Sequence, residues 1–465
     1  MRRRGLATGA VAIVGLVAAA SVARAATVAD EPGRSLASST STSTTAPGTI
    51  PIKHVIIIMQ ENRSFDEYFG TYPGANGIPM RNGVPTICMP DPKTRTCQRP
   101  YHDTANSNLG GPHGPGNFVD DLDGGRMDGF IKTAKQANGG GPTDVMGYHT
   151  RAELPIYWTY ADNFVLQDEL FASSSSYSLP SHLDLVSGWS ALCSVWHVAS
   201  SCQSSLKPQQ IVPNGPINQP EPNYSWTDLT YLLHAHGVPW AYYVSDGNVP
   251  DCPNGEYSCR PQPISPHTSQ YWNPLPEFQT VQDDGQVANV EHVSNFFTAA
   301  SRGTLPAVSW VMPDDARSEH PPSLLSTGQS YVTGLINAVM SGPDWNSSAI
   351  FVAWDDWGGF YDHVVPPVVD TSGYGFRVPG LMISPYARTH FIDHQTLSFD
   401  AYLKLIEDLF LNGQRIDPAT DGRPDSRPNV RENASVLGDL IKEFDFSQKP
   451  RPPLILSTTT AIAAG

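Results

Sequence analysis

Five short stretches of the chain are apolar almost throughout: His54 to Met59, Trp240 to Val244, Ala307 to Met312, Ala349 to Trp354 and Leu381 to Ser384. They are rich in β-branched and aromatic residues and do not alternate with polar ones, which predicts strands covered on both faces. Between them, Ser323 to Met340 and Phe399 to Leu411 repeat apolar residues at spacings of three and four, the pattern of amphipathic helices. Trp226 to His236, behind Ser225 as an N-cap, predicts another helix. Strands alternating with helices predict an α/β fold built on a parallel sheet. The polar, turn-rich segments Gly74 to Gly140 and Ser204 to Tyr224 read as loop-rich insertions.

The two ends break this pattern. Arg2, Arg3 and Arg4 precede an apolar run from Leu6 to about Ala23, and Ala23-Arg24-Ala25 fits the small-x-small cleavage rule. Residues 1–25 are therefore expected to be a signal peptide rather than a stable membrane anchor, and residues 26–49 a Ser/Thr-rich linker. One domain is expected over 50–446, with a loose tail over 447–465. The chain is expected to be exported, either secreted or retained in the periplasm or cell envelope.

Composition adds three points. With 39 Gly, 42 Pro and 16% charged residues, the 465-residue chain suits a loop-rich protein better than a bundle of long helices. A net charge of −16 disfavours non-specific binding to nucleic acid or anionic membranes. Cys88 and Cys97, Cys193 and Cys202, and Cys252 and Cys259 are close neighbours in sequence, so three local disulfides are expected in an exported chain.

Two predicted strands run into clusters of oxygen ligands. The first ends in Gln60-Glu61-Asn62-Arg63-Ser64-Phe65-Asp66, the second in Asp355-Asp356-Trp357-Gly358-Gly359-Phe360-Tyr361-Asp362-His363. In open α/β sheets, sites form beyond the carboxyl ends of strands, and such oxygens suit one divalent cation. For either cluster alone, turn chemistry is the better account.

Together the motifs are more specific. Glu61-Asn62-Arg63-Ser64-Phe65-Asp66 with Tyr68-Phe69-Gly70, Ser318-Glu319-His320-Pro321, Asp356 to Val364, and Gly375-Phe376-Arg377-Val378-Pro379 with Ser384-Pro385 stand in this order. They resemble the elements of the bacterial phospholipase C and acid phosphatase family, to which plant non-specific phospholipases C belong. The resemblance implies an alkaline-phosphatase-like fold: a central, mostly parallel sheet flanked by helices. It implies a secreted phosphoesterase that works through a phosphoserine. Ser178, in Ser178-Leu179-Pro180-Ser181-His182, is the implied nucleophile, although Ser181 stands where the family has Asn. Glu61, Asn62, Asp355, Asp356 and Ser178 are the implied ligands of one divalent metal, with Ca, Mg, Mn, Zn or Fe all open. His320 and His113 are the implied phosphate-side histidines, with His102 as an alternative to His113. His363 is either functional or a brace for its loop. The substrate is a phospholipid head group or a small monoester, and the acidic surface favours the monoester. A binding protein that retains the fold is the non-enzymatic alternative. Oligomeric state is left open.

Overall fold

In the computed structural model, which describes residues 50–136, 143–209, 223–252, 255–256 and 259–459, the apolar runs become strands of one sheet. In chain order these are β1 (His54–Gln60), β2 (Val165–Gln167), β3 (Trp240–Val244), β4 (Val290–His292), β5 (Val308–Met312), β6 (Ser348–Trp354), β7 (Gly380–Ile383) and β8 (Phe391–Asp393). Their order across the sheet is β4-β3-β5-β1-β6-β7-β2-β8. Every neighbouring pair is parallel except those made by β7, which runs against both β6 and β2. The sequence pattern gave no sign of β2, β4 and β8. Each is three residues long, too short for periodicity to register.

The helices flanking the sheet are α1 (Phe65–Phe69), α2 (Pro155–Asn163), α3 (Ser178–Ser187), α4 (Val293–Arg302), α5 (Leu325–Ser341) and α6 (Phe399–Phe410). α3 packs against α6, while α2 and α4 pack against α5. The expected helix at Trp226 starts instead at Leu229. Asp228 caps it by accepting the Thr230 amide at 2.9 Å, so Ser225 is not the cap.

β1 and β6 lie at the centre, and their interior positions are buried on both faces. They pair in register from His54↔Ser348 to Gln60↔Trp354. That register places the residues after them, Glu61 and Asp355, side by side, and the Asp355 amide donates to Gln60 O at 3.0 Å.

The insertions carry smaller ribbons and a second apolar cluster that includes Phe118, Phe130, Trp357 and Phe376. All three expected disulfides are formed. The leader and linker lie outside the described residues. The segment expected as a loose tail has no helix or strand up to Thr459, but it is fastened to the domain. Arg451 lies over the Phe164 ring and donates to Asn163 O at 2.6 Å, and Trp345 Nε1 donates to Arg451 O at 2.9 Å. Asn337 and Leu456 exchange hydrogen bonds of 2.8 and 3.2 Å. No described helix is long and apolar enough to cross a membrane.

Candidate active site

The turn after β1 bends sharply. Asn62 adopts φ 60°, a left-handed conformation that Asn tolerates better than most residues. The bend aims the Asn62 amide N–H at Asp355 Oδ1 (2.9 Å) and its side-chain nitrogen at both Asp356 oxygens (3.1 and 3.3 Å). The turn after β6 needs glycine. Gly358 and Gly359 have φ of 58° and 77°, and a Cβ on Gly358 would lie 2.4 Å from Asn62 O. Gly358 N–H in turn donates to Asp356 Oδ1 at 2.7 Å.

α3 brings the third component. Its first residue is Ser178, with Pro180 in the first turn and Gly188 closing the helix at φ 61°. Ser178 Oγ donates to Asp356 Oδ2 at 3.3 Å. Three of the rival hydroxyls are engaged elsewhere: Ser173 Oγ accepts from Phe399 N, Ser175 donates to Ser372 O, and Ser176 donates to Leu206 O, while Ser174 Oγ is buried without a partner. Ser181 Oγ is buried without a partner. Four residues after Ser178, on the same helix face, His182 Nε2 lies 3.1 Å from Glu61 Oε1 and 3.9 Å from Asp355 Oδ2.

Glu61, Asn62, Ser178, His182, Asp355 and Asp356 are all buried. Three of their oxygens, Glu61 Oε2, Asn62 Oδ1 and Asp355 Oδ2, have no hydrogen-bond partner. Buried acceptors without donors are costly. Burial, and then the neighbouring carboxylates, hold Glu61 and Asp356 well above the ordinary carboxylate range. A hard divalent cation would satisfy those oxygens and offset the crowded charge, so the donor set fits one.

Two further histidines border this cluster, and their hydrogen bonds fix their protonation. His113 Nδ1 donates to Gly111 O at 2.9 Å. Burial keeps the ring neutral by lowering its pKa, so Nε2 is a bare acceptor, and it takes the second proton of the Asn62 amide at 3.1 Å. His320 differs. Its Nδ1 donates to Pro321 O at 2.8 Å, while Nε2 faces Asp251 Oδ1 at 2.9 Å. Burial would lower this ring's pKa, but the hydrogen bond and charge of Asp251 outweigh it and raise the value. Burial likewise opposes the Asp251 charge, and the His320 bond overrides it, keeping that carboxyl below its usual range. Both shifts favour the imidazolium–carboxylate form of the pair. Trp272 Nε1 donates to the other Asp251 oxygen.

The other histidines singled out in the sequence lie elsewhere. His102 bonds Glu153 at 2.9 Å and stacks on Tyr148. His363 is a brace: its ring bonds Asp66 at 2.7 Å, in a buried knot where Arg377 also binds Asp66 and Asp362. Glu319, beside His320, accepts from Tyr68 and Tyr157 at 2.6 Å and from Trp354 at 3.1 Å. It thereby ties the His320 loop to the end of β6.

Sequence reasoning missed Asp251 and gave His182 no role. The spacing of His182 from Ser178, one helical turn, was a usable signal. Asp251 sits beside Cys252 in a loop, and nothing local marks it.

Side-chain oxygens crowded at strand ends beside a helix N-terminus define a class of α/β protein suited to phosphate. The sequence model of the Phosphoesterase family matches residues 52–411, and the chain belongs to that family. The non-hemolytic phospholipase C of Burkholderia pseudomallei is 28% identical over 454 residues, covering 86% of this chain and 60% of that protein. Phospholipase C B of Mycobacterium tuberculosis is 29% identical over 461 residues, covering 86% and 79%. Non-specific phospholipase C6 of Arabidopsis thaliana is 24% identical over 372 residues, covering 72% and 62%. Among solved structures, a protein in the alkaline phosphatase superfamily from Vibrio parahaemolyticus is 12% identical with a TM-score of 0.31, covering 77% of this chain and 76% of that one.

Proposed function

We propose that this chain is an exported, metal-dependent phosphoesterase of the phospholipase C type that uses Ser178 as its nucleophile. The observation that carries the reading is the hydrogen bond of Ser178 Oγ to Asp356 in a buried cluster whose Glu61, Asn62 and Asp355 each keep one oxygen without a partner. Family membership favours this enzyme over the alternative of a binding protein.

Glu61, Asn62, Asp355, Asp356 and Ser178 would hold one divalent cation. When bound, it would lower the serine pKa and neutralise phosphoryl charge. Ser178 Oγ passes its proton to Asp356 Oδ2 as it attacks phosphorus, the bond from phosphorus to the leaving oxygen breaks with that oxygen taking a proton from solvent, and water then cleaves the phosphoserine. The helix N-terminus of α3 offers free N–H groups to the phosphoryl oxygens. His320, held charged by Asp251, supplies positive charge beside the phosphoryl oxygens; both of its N–H groups are engaged by Pro321 O and Asp251, so it acts through its charge. His113 acts through Asn62: by accepting from its amide nitrogen it fixes which way the amide faces and leaves Oδ1 as the oxygen that would help hold the cation. That replaces the phosphate contact expected of His113, because both of its ring nitrogens are committed.

The named phospholipases C among the relatives favour a phospholipid head group over the monoester that the acidic surface suggested. Purified protein assayed on phosphatidylcholine and on p-nitrophenyl phosphate tests this. Release of phosphocholine that stops on chelation supports the reading. Absence of hydrolysis of either ester with any of the five candidate metals overturns it.

A further inference from the structure

Immediately after α3 the chain leaves the domain as a small hairpin, Ala191–Cys193 paired with Cys202–Ser204. Its base is fixed. Trp189, Ala191 and Cys202 are buried, Trp189 Nε1 donates to Ser204 Oγ at 2.8 Å, and Ser190 Oγ donates to Ser205 O at 2.8 Å. Ser426 Oγ also bonds Cys202 O, and the Cys193–Cys202 disulfide closes the loop. The tip is held as well: Asn223 Nδ2 donates to Val195 O at 3.0 Å, and the Val195 amide donates to Ser201 Oγ at 3.0 Å.

This well-braced tip presents apolar side chains to solvent. Leu192, Val195, Trp196 and Val198 are 45%, 52%, 46% and 39% exposed. Four large apolar side chains within seven positions, on a loop this firmly tied, are not a by-product of fraying. Such exposed patches mark surfaces that meet another apolar phase.

Charge identifies the phase. From Leu185 to Leu206 there is no Asp, Glu, Lys or Arg, in a chain whose net charge is −16. The hairpin is thus a neutral, Trp-tipped projection from an acidic protein. Tryptophan favours the headgroup layer of a bilayer, where its ring is half wet and half apolar. An anionic bilayer would repel the rest of the molecule, whereas a zwitterionic one would not. The hairpin is also close to the chemistry. Leu206, two residues past its second strand, accepts a 2.9 Å hydrogen bond from Ser176, two residues before the nucleophile. Three paired residues carry the tip only about 10 Å further.

We propose that this hairpin docks the enzyme on zwitterionic phospholipid bilayers, with Val195 and Trp196 entering the headgroup layer. The inference rests on the phospholipid reading above.

Co-sedimentation with phosphatidylcholine vesicles tests it, using the full chain, a Val195→Ser/Trp196→Ser double variant and a Trp196→Phe variant. The double variant should partition about tenfold more weakly, while Trp196→Phe stays close to the parent. Hydrolysis of soluble p-nitrophenylphosphorylcholine should be the same in all three, because none of these residues reaches the site. Equal vesicle binding by parent and double variant overturns the docking. So does a parent that runs as a dimer in gel filtration and a double variant that runs as a monomer, since the patch then serves a second copy. Failure to hydrolyse even the soluble ester overturns the proposed function instead and leaves the vesicle result to be read on its own. If the double variant does not fold, quenching of the parent's tryptophan fluorescence by brominated phosphatidylcholine decides, and no quenching sinks the proposal.

Discussion

Ser178 differs from its neighbours by where its oxygen points. Ser175 and Ser176 give their protons to backbone carbonyls, whereas Ser178 offers its proton to a carboxyl group in a buried acidic cluster. Ser178→Ala should lower kcat by at least about a thousandfold. It should shift unfolding free energy by no more than about 1 kcal/mol, since one modest hydrogen bond is lost. Ser176→Ala should leave kcat within about twofold. Steady-state rates and thermal melts read both; a Ser176→Ala protein that is as inactive as Ser178→Ala would move the nucleophile. The Asp251–His320 pair makes a prediction of a different kind. His320 has a folded pKa raised above 6.5, so its contribution is full below that value and is lost as pH rises through the raised one. Asp251 has a folded pKa lowered below 3.8, so its contribution is present above 3.8 and is lost as pH falls through the lowered one. The ion pair therefore holds across the window between the two folded values. Asp251→Asn removes the charge that keeps His320 protonated, so the basic limb of kcat/KM should move to lower pH by about one unit. A limb that stays in place would mean that the charge on His320 does not serve the reaction.

At the scale of elements, the site is a meeting of two strand-end turns and one helix start, and the turns are the strained parts. Gly358 cannot carry a side chain, because its φ is positive and its Cβ would strike Asn62 O at 2.4 Å. Gly83 also has positive φ, at 75°, but open space around it. Gly83→Ala should cost about 1 kcal/mol and leave metal affinity unchanged. Gly358→Ala should displace Asn62 and weaken metal binding tenfold or more, as measured by calorimetry; equal affinities in the two variants would detach the glycine turn from the ligand set. The same elements explain what could be read in advance. β1 and β6 were legible because strands buried on both faces must be apolar along their whole length. Their parallel pairing, which brings Glu61 to Asp355, had to be inferred, and it decided the ligand cluster. β2, β4 and β8 carry too few residues to show a pattern. Asp251 was invisible for another reason. Its role depends on a long-range contact with His320, 69 positions away, and no local rule records such a contact.

The whole molecule is tied together by charge that burial makes expensive. Glu61 comes from the end of β1, Asp355 and Asp356 from the end of β6, and Ser178 from α3, so the proposed ligand cluster joins segments drawn from widely separated parts of the chain. Without a cation, Glu61 and Asp356 have folded pKa values raised above 4.5 and 3.8. Such groups favour the fold when protonated, and their contribution is lost as pH rises through the raised values. Chelated protein should therefore melt lower at pH 7.5 than at pH 5. A divalent cation reverses this by taking the place of the protons. At a free concentration about 100 times its dissociation constant it adds about 2.7 kcal/mol. Protons compete for the same carboxylates, so the rise in Tm on adding metal should be larger at pH 7.5 than at pH 5. Differential scanning fluorimetry of chelated protein, with Ca²⁺, Mg²⁺, Mn²⁺, Zn²⁺ or Fe²⁺ restored in turn, measures the difference and ranks the metals together. Asp355→Asn should shrink the rise at pH 7.5 with the preferred metal, because it removes a ligand charge from the centre of the sheet. A rise that is the same at both pH values, and unchanged by Asp355→Asn, would place the stabilising cation somewhere other than these strand ends.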